Sequence, residues 1–327
     1  MHPSNPTVTA PGPSGDLTAP ERHRHFDPRP RPRTLRTRAT GGLTSMLMVA
    51  PALAAIVTFV LIPIVVAARL SLTDWDGFSD SAEFVGLANY VRLFDDPHVA
   101  SAAYVTLVIA VTGTVACNVL GLGLAMMLNG QGRLKAMLRG LFFYPHVLGA
   151  VIIGFLWSAV LGSDGAINTI LSAAHSENIP FLSDPHWALA AVVFVVIWST
   201  FGVNVVLYLA GLQTIPVSLL EAARIDGASR WQTFRHVVLP MLAPTVTINV
   251  VLLLVSLLRV YDLVLALTDG GPAGHTETYA YLVLSESFQN GKIGYASAQS
   301  IVLMVVIAVL AIVIVALRQR SEKAVEL

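Results

Sequence analysis

Residues 187–212, WALAAVVFVVIWSTFGVNVVLYLAGL, contain no Asp, Glu, Lys or Arg. An apolar run of about 20 residues is long enough to cross the hydrocarbon core of a bilayer as a helix, because each helical residue adds about 1.5 Å. A helix also satisfies its own backbone hydrogen bonds, which lipid cannot do. This stretch therefore predicts a membrane-spanning helix.

Five further long apolar runs are spread along the 327-residue chain, which is 55% hydrophobic and only 12% charged, and only the fifth of the six spans contains charged residues, Arg259 and Asp262. A soluble domain carries about 25% charged residues. A membrane barrel would instead show alternating segments of about ten residues. The sequence therefore predicts an all-α membrane protein with six transmembrane helices, kinked where Pro51, Pro63 and Pro145 fall inside them. The five further runs are Leu43–Ala68, Ala102–Leu128, Leu141–Leu161, Met241–Leu267 and Ala296–Leu317.

The basic residues are concentrated in alternate connections between the predicted spans. The N-terminal tail, the second and fourth connections and the C-terminal tail carry most of them, whereas the first, third and fifth connections hold only Arg92 and Lys292, with Arg69 at the first boundary. Cytoplasmic loops carry the excess of Lys and Arg. We therefore expect both termini to lie in the cytoplasm.

Residues 1–40 differ from the rest of the chain, with seven arginines between Arg22 and Arg38 and many prolines. Such a composition predicts a disordered cytoplasmic tail. Nucleic-acid binding by the arginine run is an alternative, but basic flanks of spans are routine, so no nucleic-acid partner is expected. The six-span domain then covers residues 41–320, with a long loop at 213–240 and a C-terminal tail at 321–327. The single cysteine, Cys117, rules out an internal disulfide and is expected to be buried.

The fourth connection, LQTIPVSLLEAARIDGASRWQTFRHVVLPMLAP at 212–244, predicts two short helices outside the lipid. Pro216 suits the first turn of the first helix, and Ser218 with Glu221 has the spacing of a capping box. Gly227 is a natural helix terminator.

Ser229 with Gln232 repeats the capping-box spacing and opens the second helix, which Pro240 is expected to end. The first helix carries a carboxylate at Glu221 and small residues at Ala222 and Ala223. It could therefore be a contact through which a soluble partner moves the spans. An amphipathic helix on the membrane surface is the alternative, and the residues alone leave both open.

The segment EAARIDGAS, followed by FRHVVLPMLAP, resembles the EAA loop of binding-protein-dependent ABC importer permeases. In that family the loop docks into a cleft on the ATPase subunit. The resemblance implies a type I ABC importer permease fold, with a cytoplasmic coupling helix, in the bacterial plasma (inner) membrane. The matching positions are Glu221, Ala222, Ala223, Asp226, Gly227, Ala228, Leu239 and Pro240.

Other segments, including GLANYVRLFDDP at 86–97 and YDLVLALTDGGP at 261–272, are similar to the carbohydrate branch typified by maltose and glycerol-3-phosphate permeases. The resemblance implies uptake of a sugar, oligosaccharide, polyol or glycerol phosphate delivered by an extracellular binding protein. It also implies alternating access, a homologous second permease in a heterodimer, and two ATPase subunits that bind ATP and magnesium. This chain resembles the first of the two paired permeases.

The sequence has no G-x-x-x-x-G-K-[ST] motif, so no ATP hydrolysis by this chain is expected. No metal-ligand spacing and no catalytic residues are found either, so no cofactor and no enzymatic activity are predicted. Two alternatives remain open. The first is a secondary carrier driven by an ion gradient, and the second is a membrane-embedded enzyme.

Polar groups inside spans are costly and are therefore candidates for the substrate pathway. Arg259 and Asp262 are three residues apart and are expected to pair on one face of the fifth span, unless Arg259 reaches to the interface. His146 is expected to pack. Hydroxyls, amides and aromatic faces suit sugars, although each candidate could instead pack between helices. The candidates are Thr200, Phe201, Asn204, Tyr261 and Asp262.

Overall fold

The structure is a computed structural model that describes residues 48–323. The predicted tail at 1–40 and the last four residues of the predicted C-terminal tail lie outside the described residues. The chain divides into two units, residues 1–56 and 57–327, and only Met48–Ile56 of the first are described.

The described residues are mostly helical, and their only β pairing is a bridge between Thr73 and Phe84. The helices are α1 Met48–Leu70, α2 Ala88–Asp95, α3 Pro97–Leu128, α4 Arg133–Val147, α5 Ala150–Leu161, α6 Ala166–Ala173, α7 Pro185–Gln213, α8 Val217–Ile225, α9 Arg230–Met241, α10 Ala243–Leu257, α11 Asp262–Leu267, α12 Tyr279–Leu284 and α13 Ile293–Lys323.

Four predicted spans appear as single long helices: α1, α3, α7 and α13. Their apolar length is enough to cross a bilayer, as the sequence predicts. In α1 a π turn at Val57–Leu61 stands just before Pro63, which lies in the first turn of the α-helical part that follows. A proline needs no backbone N–H partner there. The local distortion expected at Pro63 is thus present.

The third predicted span, Leu141–Leu161, is not one helix. The chain ends α4 at Val147, passes through extended residues Leu148 and Gly149, and starts α5 at Ala150. Pro145 lies in the last turn of α4, where its ring removes one backbone donor from the helical ladder. The apolar length that could cross a membrane is instead Ala150–Ala173, which contains α5 and α6.

The fifth predicted span, Met241–Leu267, is broken twice. Helix α9 runs to Met241 and meets α10 at a bend of 64°. The chain then leaves the helix after Leu257 and resumes as α11 at Asp262. The predicted pairing of Arg259 with Asp262 on one helical face is therefore wrong, and no ion pair joins these two described residues.

The break between α10 and α11 is stabilised by a hydrogen bond from a residue outside the fifth span. The Thr278 hydroxyl, fully buried, donates a hydrogen bond of 2.7 Å to the Val260 carbonyl oxygen. Non-helical backbone is tolerated at membrane depth only where protein or a cavity satisfies its polar groups. Because Thr278 is 18 residues away in sequence, the local pattern of the fifth span does not show it.

Helices α3, α4 and α7 pack closely in the core because glycines stand at their contacts. A Cβ on Gly121 of α3 would lie 2.7 Å from the Asn204 Cβ of α7. A Cβ on Gly202 of α7 would overlap the Phe142 carbonyl oxygen of α4. Small residues let membrane helices approach at backbone distance. Cys117 lies in the same core and is fully buried, as expected.

Candidate functional site

The loop at 213–240 contains α8 and most of α9, as the sequence predicts. Helix α8 begins after Pro216, which is its N-cap residue and makes no side-chain capping bond. Ser218 is therefore the second helical residue, too far into the first turn to cap it. The predicted capping box of Ser218 with Glu221 is wrong, and Pro216 stands just before the first turn and not in it.

The end of α8 is set by Gly227, whose φ of 75° lies in the left-handed region. The Ala228 N–H donates to the Ala223 carbonyl oxygen at 2.9 Å, and the Gly227 N–H donates to the Arg224 carbonyl oxygen at 3.1 Å. This bonding is the Schellman motif, which favours glycine at that position. The predicted terminator is confirmed.

The second capping box is also confirmed. The Gln232 N–H donates to the Ser229 hydroxyl at 3.3 Å, and the Ser229 N–H donates to the Gln232 side-chain oxygen at 2.8 Å. Helix α9 does not end at Pro240 but runs to Met241. Pro240 falls in the first turn of an α-helical piece that follows a π turn, where its missing N–H is tolerated.

The outer surface of α8 has an apolar residue beside its acidic ones. Ile225 is 85% exposed, and Glu221, Ala222 and Asp226 are exposed beside it in sequence. Ala223 is buried against its own chain, so Ala222 alone of the two alanines is available at the surface. Val217 and Leu219 of the same short helix are also exposed, at 66% and 42%, and several exposed apolar residues on one short helix suit burial by another protein.

A cavity of about 440 Å³ lies where both broken spans meet α7. It is bounded by the break between α4 and α5, by the middle of α7, and by the break between α10 and α11. Apolar residues from the same helices complete its wall. Its polar lining residues are His146, Ser199, Thr200, Ser256, Arg259, Tyr261 and Asp262.

The polar groups of this cavity are held in different ways. The Asp262 Oδ1 accepts a hydrogen bond of 2.9 Å from the Leu263 N–H, at the start of α11. The Ser199 hydroxyl donates to the Val196 carbonyl oxygen at 3.0 Å. Arg259 is exposed to the cavity, and no carboxylate of the described residues pairs with it. The guanidinium is therefore available to a ligand.

Arg259 and Tyr261 also line a second cavity of about 630 Å³, which is bounded mainly by apolar residues of α1, α12 and α13. The two side chains thus lie between a polar cavity and an apolar one. Tyr261 is 40% exposed, so its ring is open to contact.

Three of the five candidate pathway residues come together in the polar cavity: Thr200, Tyr261 and Asp262. The other two do not line it. Phe201 packs edge-on against Phe142 of α4, with ring centroids 5.8 Å apart. Asn204 is only 3% exposed and faces Gly121 of α3.

Four polar residues line the cavity but are not among the sequence candidates: His146, Ser199, Ser256 and Arg259. His146 was expected to pack, yet it is exposed at the break after α4. Its position directly after Pro145 is a hint that the sequence does contain. The break at Leu258–Tyr261 has no glycine or proline, so the sequence holds no comparable hint for Arg259 and Ser256.

A family model described as "Binding-protein-dependent transport system inner membrane component" matches residues 117–326. The chain belongs to this family. The family places it in the inner membrane as a transport component, as predicted, and the orientation of its termini stays a prediction.

Relatives of this inner membrane component match it over most of its length. It is 32% identical, over 282 residues, to the probable starch degradation products transport system permease protein AmyD of Thermoanaerobacterium thermosulfurigenes, covering 86% of this chain and 96% of the relative. It is 34% identical, over 270 residues, to the lactose transport system permease protein LacF of Rhizobium radiobacter, covering 81% and 90%.

A solved structure of a bacterial ABC transporter involved in the import of the acidic polysaccharide alginate contains a similar chain. The TM-score is 0.75, the identity is 23%, and the match covers 88% of this chain and 98% of that one. The predicted fold class, an all-helical ABC importer permease, is confirmed.

Proposed function

We propose that this chain is a membrane-spanning permease subunit of an ATP-binding-cassette importer that takes up a carbohydrate. The observation that carries the proposal is the similarity to the starch-product and lactose permeases along more than four fifths of the chain. The family match at residues 117–326 includes the loop at 213–240 and all residues that line the polar cavity. The substrate is a sugar, an oligosaccharide or a related polyol or glycerol phosphate.

The polar cavity is the proposed place of substrate contact. Sugars present many hydroxyls, which both donate and accept, and apolar ring faces that stack on aromatic rings. Thr200 and Asp262 supply oxygen acceptors, Arg259 supplies donors, and the Tyr261 ring is exposed. Phe201 and Asn204 then position α7 against its neighbours without touching the substrate.

Helix α8 is the proposed contact through which the ATPase subunit moves this chain. Docking on an ATPase subunit would bury the exposed Ile225 and pair Glu221 with a basic group, while Ala222 permits close approach. Asp226, Gly227 and Ala228 form the turn that ends the helix. ATP and magnesium are bound by two ATPase subunits, and this chain carries no cofactor of its own.

One short segment of the chain connects α8, the proposed ATPase contact, to the polar cavity. Helix α8 leads through its glycine turn into α9, α9 meets α10 at the 64° bend, and α10 ends at the break that lines the cavity. A displacement of α8 therefore reaches the cavity along one continuous segment, Val217–Asp262. Alternating access follows if this segment tilts when the ATPase subunits close.

The remaining partners complete the proposed assembly. A homologous second permease forms a heterodimer with this chain, and an extracellular binding protein delivers the substrate. The basic connections and both termini face the cytoplasm, which places α8 beside the ATPase subunits.

The coupling assignment is tested with Glu221→Lys and Ile225→Ser in the assembled transporter in nanodiscs. We expect stimulation of ATP hydrolysis by liganded binding protein to fall at least about tenfold, because loss of a buried contact of about 1.4 kcal/mol changes an equilibrium tenfold. The matched control is Arg133→Glu, a charge reversal at an exposed residue of the second connection, which is on the same predicted side of the membrane as α8. Normal stimulation in both α8 variants would show that another surface contacts the ATPase.

The pathway assignment is tested with Asp262→Asn and Tyr261→Ala. We expect uptake to fall while basal ATP hydrolysis and assembly are kept, because asparagine retains the side-chain oxygen that accepts from the Leu263 N–H, and the Tyr261 ring is 40% exposed. Leu265→Ala is the control, since Leu265 lies on the same short helix, is 44% exposed and does not line the cavity. Equal uptake by all three variants contradicts the assignment.

A further inference from the structure

Helix α2, Ala88–Asp95, is held firmly to the end of α1. The Asn89 side-chain amide donates to the carbonyl oxygens of Ser71 at 2.9 Å and Thr73 at 2.8 Å. The Tyr90 hydroxyl and the Ser71 hydroxyl are 2.7 Å apart and share a hydrogen bond. These bonds fix the rotation of α2 about its own axis.

A second set of contacts holds α2 to the start of α13. Leu93 is buried in a cluster with Tyr295. The Arg92 guanidinium lies over the Tyr295 ring, 4.6 Å from its centroid, and the Tyr295 hydroxyl donates to Asp96 at 2.9 Å. The helix is therefore anchored to two spans, with one defined side packed against them.

The anchored helix has three distinct sides. Successive residues of a helix are rotated by about 100°, so Leu87, Val91 and Phe94 lie within an arc of about 60°. All three are strongly exposed, at 67%, 62% and 81%. Asn89 and Leu93 occupy the buried side. The third side carries Ala88, Arg92 and Asp95, which are exposed.

The exposed apolar stripe continues into the surfaces of two spans. Phe94 lines an apolar groove of about 290 Å³ together with Leu107 of α3 and Val306 of α13. Leu107 is 49% exposed and Val306 is 44% exposed. Both belong to helices long and apolar enough to cross a membrane, so their exposed sides are available to the hydrocarbon of a bilayer.

We propose that α2 is an interfacial helix whose Leu87, Val91 and Phe94 stripe is inserted into the bilayer at the membrane end opposite the loop at 213–240. Lipid is favoured as the occupant because the stripe has no hydrogen-bonding or charged group and is continuous with the apolar surfaces of α3 and α13. Asp95 and Arg92 on the adjoining side face water, the arrangement expected of a helix lying in an interface.

The position along the bundle agrees with this placement. Helix α2 directly precedes Pro97, the first residue of α3, whereas a groove at the other end of α3 contains Met126 and Asn129 together with Leu220 and Arg224 of the α8 helix. At about 1.5 Å per residue, the 32 residues of α3 span about 48 Å. That length reaches both interfaces of a bilayer.

The test uses nitroxide labels on single engineered cysteines in the full-length chain, within the assembled transporter in phospholipid nanodiscs. Cys117 is first replaced by alanine. The complex that contains this cysteine-free chain, treated with the same label, provides the background signal. Labels are placed at Val91→Cys and Phe94→Cys, with Asp95→Cys as the matched control on the water-facing side. Collision of each label with oxygen, which partitions into lipid, is compared with collision with a water-soluble nickel chelate.

We expect oxygen collision to exceed nickel collision severalfold at positions 91 and 94, and the reverse at 95. Nickel collision dominating at all three positions would overturn the proposal by placing the stripe in water. Protection of positions 91 and 94 from both reagents would overturn it by placing the stripe against a protein partner such as the second permease. The three side chains are exposed, so each variant is expected to fold. Elution of the intact assembled complex on gel filtration checks this.

Discussion

At the residue scale, Gly154 sets how closely α5 approaches α11, the short helix that forms part of the cavity wall. A Cβ there would lie 2.5 Å from the Ala266 Cβ and 3.1 Å from the Leu263 carbonyl oxygen. The first distance is shorter than Cβ contacts in proteins, and the second is tighter than most of them and involves a backbone atom. The residue therefore couples the position of the broken fifth span to the broken third span.

Gly154→Ala is predicted to destabilise the protein by about 1–3 kcal/mol, the usual cost of overpacking a core. Thermal unfolding of the purified transporter in detergent measures this loss. Gly140→Ala in α4 is the control, since an added Cβ there meets nothing within 4 Å. A Gly154 variant that unfolds at the same temperature as the control would contradict the close approach.

Burial raises the pKa of the Glu277 carboxyl above its ordinary value of 4.5, Glu286 raises it further, and His98 opposes both. Glu277 stands in the connection between α11 and α12. The folded state thus prefers the protonated acid. The cost of ionisation is absent below pH 4.5, grows between pH 4.5 and the raised pKa, and is constant at higher pH.

Glu277→Gln is therefore predicted to raise the melting temperature at neutral pH, because glutamine imitates the protonated acid. The gain should shrink as the pH is lowered towards 4.5. Unfolding temperatures of both proteins over a pH series provide the measurement. A gain that is equally large at acidic pH would show that titration of Glu277 is not its cause.

At the element scale, the C-terminal end of α3 is capped by side chains of α4. The Arg139 guanidinium lies 2.6 Å from the carbonyl oxygens of both Leu128 and Gly130, and the Lys135 ammonium lies 2.7 Å from the Asn129 carbonyl oxygen. Cations at a helix C-terminus satisfy its free carbonyls and complement its dipole. Two residues that indicate topology in the sequence thus also join α3 to α4.

Arg139→Gln is predicted to cost about 1.5–3 kcal/mol, the typical contribution of a hydrogen bond to a charged group. Arg133→Gln is the matched control, because Arg133 is exposed at the start of the same helix. Denaturant titration gives the unfolding free energy of each variant, and the decrease of each value from that of the unsubstituted protein checks this. Equal losses in both variants would mean that charge number, and not the cap at α3, is what matters.

At the scale of the whole molecule, the ATP-driven importer and the ion-coupled carrier make opposite predictions. The importer needs the second permease, the ATPase subunits and the binding protein, so this chain alone in proteoliposomes should take up no sugar under a proton or sodium gradient. The complete assembly, supplied with ATP on the side of the ATPase subunits, should take up sugar. Uptake of a panel of labelled sugars measures both. Gradient-driven uptake by the single chain would favour the carrier.

The sequence predicted well those features that depend on local composition. Four spans, the Gly227 terminator and the Ser229–Gln232 capping box are all where their residues indicate. Each depends on apolar length or on bonds between residues a few positions apart. The predicted Ser218–Glu221 capping box is wrong although the spacing fits, because Pro216 is the N-cap residue and Ser218 lies inside the helix.

The candidate site was predicted only in part for the same reason. Thr200, Tyr261 and Asp262 were found from their polarity inside apolar runs, and they do meet in one cavity. Phe201 is aromatic and Asn204 is polar, so they met the same criterion. In the structure Phe201 packs against α4 and Asn204 against α3. Which side of a helix faces a cavity depends on its neighbours, and a single apolar span has no polar side to show it.

The amino-acid sequence by itself determined that this chain crosses a membrane as helices, that basic residues mark alternate connections, and that a short capped helix stands between the fourth and fifth spans. Composition, length and local hydrogen bonding are sufficient for these features. Only the tertiary structure decided that the third and fifth spans break and that the breaks meet. A bond such as that from Thr278 to Val260 is formed by residues far apart in the chain. Such a bond exists only once the spans have packed.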